Sequence, residues 1–152
     1  MRHFVSAVCG LWLAAVAPVQ AEPVVVVELY TSQGCSACPP ADEFVAMLAS
    51  NPQILPLALH VDYWDYIGWA DTFALPGHTE RQKRYARAHG MSTIFTPQAV
   101  VMGTDLIEGF RVAEIEALIA AHRSAPPEVR LTLARGPGGT LQIRGEALAP
   151  PV

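Results

Sequence analysis

The stretch Val24-Val25-Val26-Val27-Glu28-Leu29-Tyr30-Thr31-Ser32-Gln33-Gly34-Cys35-Ser36-Ala37-Cys38-Pro39-Pro40-Ala41-Asp42 decides how this chain is read. Val24 to Tyr30 is apolar and rich in β-branched residues apart from Glu28, the pattern of a strand buried on both faces. Thr31 to Gly34 is a loop. From Ala41 to Leu48 the period becomes helical, with Phe44, Val45 and Leu48 on one face. Asp42 and Glu43 fall in the first turn, where carboxylates favour the helix dipole. A strand thus delivers Cys35 and Cys38 to a helix N-terminus, a place that stabilises a thiolate. Because a residue before proline avoids the α region, the helix is expected to begin at Pro39 or Pro40, where proline suits the first turn. Cys35 then sits a turn farther from the dipole, and a modest lowering of its pKa is expected.

Working outward, Ile54 to Val61 (Ile-Leu-Pro-Leu-Ala-Leu-His-Val) reads as a second buried strand, with Pro56 near its start. A helix connects the two strands, so they are expected to be parallel with a right-handed crossover. Asp62 to Leu75 is aromatic and irregular. Thr79 to His89 is helical and basic, with Thr79 as N-cap and Gly90 as stop. Ala99 to Met102 and Leu106 to Phe110 are strands joined by Gly103-Thr104-Asp105, too tight for anything but an antiparallel hairpin. Ala113 to His122 is a last helix with the stripe Ile115, Leu118, Ile119. The order β-α-β-α-β-β-α with a central mixed sheet is an α/β fold of thioredoxin-like arrangement, and the cysteines fall where that fold puts its active site. After Ala125-Pro126-Pro127, two alternating runs, Val129 to Leu133 and Leu141 to Arg144, flank Gly136-Pro137-Gly138-Gly139 and predict a C-terminal β-hairpin. An isolated hairpin is marginal, so it is expected to pack on the domain or on a further β-rich part. The expected division is a leader over 1–21, a thioredoxin-like domain over 22–124, and linker plus hairpin over 125–152.

The leader follows from Arg2 and His3, the apolar run Phe4 to Ala17, and the small-residue end Pro18-Val19-Gln20-Ala21. The run falls short of the roughly 20 apolar residues of a membrane span. Cleavage after Ala21 removes Cys9 and places the protein in the periplasm or outside the cell. With 152 residues and 51% hydrophobic content the chain supports one domain with a real core and is not disordered. The processed chain carries nine basic against fourteen acidic residues, a net charge near −5 that argues against nucleic acid as partner. Its two cysteines, three apart, close too small a loop to staple a fold. Half a zinc site would need two more ligands, and His60, His78, His89 and His122 show no paired spacing. A redox pair is favoured, with no organic cofactor.

Four stretches taken together are Glu28 to Asp42, His60-Val61-Asp62-Tyr63-Trp64-Asp65, Thr79-Glu80-Arg81-Gln82 and Thr96-Pro97-Gln98. In order and spacing they resemble an uncharacterised family of secreted thioredoxin-like proteins, known only as a domain of unknown function. The resemblance implies a thioredoxin-like fold and export; it supplies no substrate. Members continue into a longer β-rich C-terminal part.

Cys35 is expected to be the attacking thiol and Cys38 the resolving one, with Ser36 and Ala37 tuning the potential. The thioredoxin-like reading puts a cis proline at Pro97, turning the Thr96 backbone toward an extended substrate. Glu28, a carboxylate in an apolar strand, has two readings: a relay for the Cys38 proton, or an ion pair with an Arg or Lys. The segment from Tyr63 through Trp64 to Trp69 is either a substrate-facing lid or a packed insertion. Asp62 and Asp65 follow a strand end, the usual ligand edge, and either accept hydrogen bonds from a peptide or cap loops. The basic cluster Arg81, Lys83, Arg84 and Arg87 reads first as a solvated helix face; the alternative is that Arg81 and Gln82, which belong to the family stretch, pair with Asp62 or Asp65. Gln98 belongs to the same family stretch. The expected partners are exported protein or peptide thiols and disulfides and a further redox protein. Two rivals stand beside this reading: a Cu(I) module with His60 or His78 as added ligand, and a non-catalytic interaction domain using the aromatic segment.

Overall fold

The computed structural model describes residues 24–108 and 110–148, and the expected leader with Cys9 lies outside them. Strand β1 (Val25–Thr31) leads through the cysteine loop into helix α1 (Pro39–Leu48), then β2 (Ile54–His60). A long loop with one 3-10 turn (Asp65–Ile67) precedes α2 (Pro76–Ala88). Strands β3 (Gln98–Val101) and β4 (Asp105–Glu108), helix α3 (Val112–Ser124), and strands β5 (Val129–Arg135) and β6 (Leu141–Ala147) complete the order.

The first four strands form one mixed sheet in the order β2-β1-β3-β4. β1 runs parallel to β2 and antiparallel to β3, which pairs antiparallel with β4. β2 is an edge strand, the setting in which Pro56 is tolerated. The tight β3–β4 turn has left-handed backbone at Met102 (φ 52°) and Gly103 (φ 74°), the positive pair that a two-residue hairpin turn requires.

Alternation along β1 divides the core. Val25, Val27 and Leu29 pack with Ala41, Phe44 and Val45 of α1 and with Ile115 and Ile119 of α3. Tyr30 and Val100 lie on the opposite face with Tyr85 of α2, where the Tyr30 and Tyr85 rings meet edge-on at 6.4 Å. Two helices therefore cover one face and α2 the other.

α1 begins at Pro39, as expected, with Cys38 as N-cap. Cys38 nevertheless has helical dihedrals (φ −80°, ψ −31°) against the pre-proline bias, because its carbonyl accepts the first two helix bonds, from Ala41 and Asp42. α2 starts three residues before the expected Thr79 cap. Pro76 supplies the first turn after an extended Leu75, and the Thr79 hydroxyl is used elsewhere. Strands β5 and β6 pair along their full length, and every residue of both is exposed. Val129, Leu131, Leu133, Leu141 and Ile143 share one face of this ribbon, which the described residues leave open to solvent. Among the described residues no helix is long and apolar enough to cross a membrane.

Candidate functional site

Cys35 and Cys38 are joined as a disulfide with their Cα atoms 5.4 Å apart. Both are buried, while Ser36 and Ala37 between them are exposed. The first helical N–H groups normally available to an anion are missing here. Pro39 and Pro40 have none, and those of Ala41 and Asp42 are bonded to the Cys38 carbonyl at 2.9 and 3.0 Å. The dipole of α1 acts on the sulfurs, but α1 gives them no free hydrogen-bond donor at its start.

The long loop after β2 holds the cysteine loop from the side. A Cβ on Gly34 would lie 3.0 Å from Ile67 Cδ1 and 3.1 Å from Trp64 Cβ, so a larger residue next to Cys35 requires these side chains to give way. Trp64 also donates its indole N–H to Thr96 Oγ1 at 2.8 Å. The Thr96–Pro97 peptide is cis and Pro97 is buried. Gln98 pairs with Tyr30, so Pro97 stands at the end of β1 that runs into the cysteines. Trp64 thus ties together the residue before Cys35 and the residue before Pro97. Tyr63, Trp64, Tyr66, Ile94, Phe95 and Thr96 line an open groove of about 210 Å³ beside this junction.

Sequence reasoning missed Asp71, which organises this region. Its Oδ2 accepts the Gln33 N–H at 2.8 Å and lies 2.7 Å from His60 Nδ1, and its Oδ1 accepts from Phe73 N–H. Burial pushes the Asp71 pKa up, but these bonds and the His60 charge outweigh it and hold the carboxyl below its ordinary value. The only signal was an acid within an aromatic, otherwise apolar stretch. Asp65 accepts from Asp71 N–H, and Trp69 donates to the Gln33 side chain. The aromatic loop is therefore bound to Gln33 and packed against Gly34, the two residues before Cys35.

Asp62 accepts the Thr79 hydroxyl at 2.6 Å, which ties the loop to α2. Arg81 and Gln82 do not take the alternative pairing with Asp62 or Asp65. Arg81 donates through Nε and Nη2 to Glu28 at 2.8 and 2.6 Å. Gln82 donates to the Phe95 carbonyl and Gln98 Oε1 and accepts from Tyr63. Burial pushes the Tyr63 hydroxyl up to about 12. Lys83 bonds exposed Glu80, and Arg84 and Arg87 lie in solvent, so the rest of the basic cluster is a surface.

Glu28 takes the ion-pair reading rather than the relay. It is 2% exposed, and its carboxylate also accepts from Tyr30 at 3.0 Å and Tyr85 at 3.1 Å. Burial raises its pKa, but the Arg81 bonds, Tyr30, the Arg81 charge and Tyr85 prevail and leave it below the ordinary value. It faces α2, whereas the disulfide opens α1 on the other side of the sheet. A carboxylate so placed holds α2 to β1.

The α1 side carries three polar groups of a different kind. Thr31 Oγ1 and Asp42 Oδ1 are buried and bond to no other described residue. His60 pairs with Thr31 in the sheet register and lines, with Asp42, an open groove of about 410 Å³ between α1 and β2. For the copper reading, His60 Nδ1 is occupied by Asp71 and His78 Nδ1 lies 2.8 Å from the His60 carbonyl. Among the described residues no three His, Cys, Asp or Glu side chains converge as a metal site.

A family model described as "Protein of unknown function (DUF1223)" matches residues 26–150. The chain is similar to the crystal structure of a protein from Agrobacterium tumefaciens, with 40% identity and a TM-score of 0.67. The match covers 82% of this chain and 57% of that one, so the chain spans little more than half of that protein's length. No curated protein matches it.

Proposed function

The chain belongs to this family of unknown function (DUF1223), which assigns it no chemistry, and from its own residues we propose that it is an exported thiol–disulfide oxidoreductase. The observation that carries the reading is the bonded Cys35–Cys38 pair at the β1–α1 junction, with the exposed Ser36 and Ala37 between the two cysteines. Cys35 is the nucleophile. Its thiolate attacks one sulfur of a substrate disulfide, forming a mixed disulfide and expelling the other substrate sulfur as thiolate. Cys38 then attacks Cys35, closing the internal disulfide and releasing the substrate thiol; the reverse sequence oxidises a dithiol. Thr96 and Pro97, held by Trp64, form the wall along which an extended substrate lies. The leader pattern at residues 1–21 supports export to the periplasm or beyond, where disulfides persist.

The test is exchange with a disulfide-containing peptide and with glutathione. Wild-type protein turns over, Cys35→Ser is inert, and Cys38→Ser accumulates the mixed disulfide. A couple near about −120 mV makes the protein an oxidant and one near about −270 mV a reductant. A Cys35–Cys38 bond that resists small thiols in the folded protein overturns the proposal.

A further inference from the structure

Resting on the thiol-exchange reading, we infer that Asp42 and His60, the latter held by Asp71, carry the proton of the buried resolving thiol Cys38. The site needs such a group. Cys38 is fully buried, which hinders direct loss of its thiol proton to water at neutral pH. The start of α1 offers no free N–H to a thiolate, and Glu28 is committed to Arg81 on the other face of the sheet. Asp42 lies four residues after Cys38 in helical register, as the 3.0 Å bond from its N–H to the Cys38 carbonyl records. Residues i and i+4 share a helix face, and side chains lean toward the N-terminus. The Asp42 side chain is therefore directed back over the Cys38 turn. Its Oδ1 is buried and bonds to no other described residue.

Asp42 shares its groove with His60. An ionised Asp71 only accepts hydrogen bonds, so it takes the His60 Nδ1–H at 2.7 Å and leaves Nε2 as the nitrogen that can exchange a proton. That nitrogen bonds to no other described residue, and the side chain is 19% exposed, enough to meet solvent. The ionisable groups around His60 are Asp71 from the loop, Asp42 from α1, and His78 from α2, whose Nδ1 lies 2.8 Å from the His60 carbonyl. The same Asp71 oxygen that orients His60 also accepts the Gln33 amide, so the imidazole and the cysteine loop share one anchor.

In the resolving step the Cys38 thiol gives its proton to the Asp42 carboxylate. The Cys38 thiolate attacks Cys35 Sγ, the Cys35–Cys38 bond forms, and the bond from Cys35 to the substrate sulfur breaks. The electron pair leaves on the substrate sulfur as thiolate. The proton passes from Asp42 to His60 Nε2 and on to water or to the departing thiolate. The cysteine pair has lost two electrons and the substrate disulfide has gained them.

A symmetric chromogenic disulfide, 5,5′-dithiobis(2-nitrobenzoate), separates the steps on the reduced full-length chain. Its first thiol is released by Cys35 and its second by Cys38. Asp42→Asn is expected to slow the second release at pH 7 by about tenfold or more while the first stays within about twofold. That deficit should close as the pH rises past about 8.5, where solvent deprotonates a thiol unaided. Asp42→Glu should recover most of the rate, and His60→Asn should slow the second release while leaving the first within about twofold. A second release within about twofold of wild type in Asp42→Asn, or a deficit that stays constant across pH, overturns the inference and leaves the exchange reading intact. Absence of the first release in wild type defeats the exchange reading itself.

Discussion

Arg81→Leu is the sharpest test of how the sheet and α2 are joined. Glu28 accepts four hydrogen bonds, two from Arg81 and one each from Tyr30 and Tyr85, with its side chain 3% exposed. Removing one partner of a buried pair costs about 3–5 kcal/mol, because the other charge is left uncompensated. Two features reduce that figure: Arg81 is itself 45% exposed, so solvent screens part of its charge, and both tyrosine hydroxyls stay on the carboxylate. A loss of about 2–3 kcal/mol at pH 7 follows, of the order of 10 °C in Tm for a chain of this size. The pH dependence adds a second, independent check. In wild type the folded Glu28 pKa lies below its ordinary value, so its contribution is present above the unfolded pKa and is lost as pH falls through the folded one. In Arg81→Leu the dominant influence left is burial, which raises the folded pKa. Protonation then relieves the variant as pH falls from 7, and the difference from wild type shrinks toward pH 5. Chemical denaturation followed by far-UV circular dichroism at both pH values measures this. A loss below about 0.5 kcal/mol at pH 7, the range of ordinary surface substitutions, or an equal loss at pH 5, refutes the reasoning.

Other consequences are simpler to state. Gly34→Ala puts a methyl 3.0 Å from Ile67 Cδ1 and 3.1 Å from Trp64 Cβ; overpacking of this kind costs about 1–3 kcal/mol, and peptide exchange should slow as the loop is pushed from the cysteines. Trp64→Phe removes the 2.8 Å bond to Thr96, with a loss of about 0.5–1.5 kcal/mol by denaturant melt and a higher KM for peptide than for glutathione. Asp71→Asn keeps an acceptor but not the charge. Since the folded Asp71 pKa is lowered, wild type loses this contribution as pH falls through the folded value, and the variant's stability profile should be flatter on the acid side. Pro40→Ala restores an N–H at the start of α1, and the thiolate absorbance of the reduced protein should titrate lower by a few tenths to about one pH unit.

The fold was legible wherever a residue's burial follows from its own period. Four apolar runs and three helical stripes gave the order of elements, and the shifted start of α2 has a local cause. Thr79 looks like an N-cap because its hydroxyl is a good acceptor, but Pro76 had already set the first turn and the hydroxyl is bonded to Asp62. The pairings were less legible, because they depend on which helix covers which face of the sheet. Period two puts Glu28 and Tyr30 on one side and Leu29 and Thr31 on the other. Nothing local says that α1 covers the odd side and α2 the even one, and that choice sends Glu28 to Arg81 and away from the cysteines. The same choice brings His60 of β2 to the α1 side, because parallel pairing puts it beside Thr31. The strand carboxylate Glu28, whose strand leads into the cysteines, thus serves the opposite layer. The groups that share the α1 face with the disulfide, Asp42 and His60, come from the helix behind it and the neighbouring strand. In such a sheet the face that a strand carboxylate takes decides which helix layer it serves.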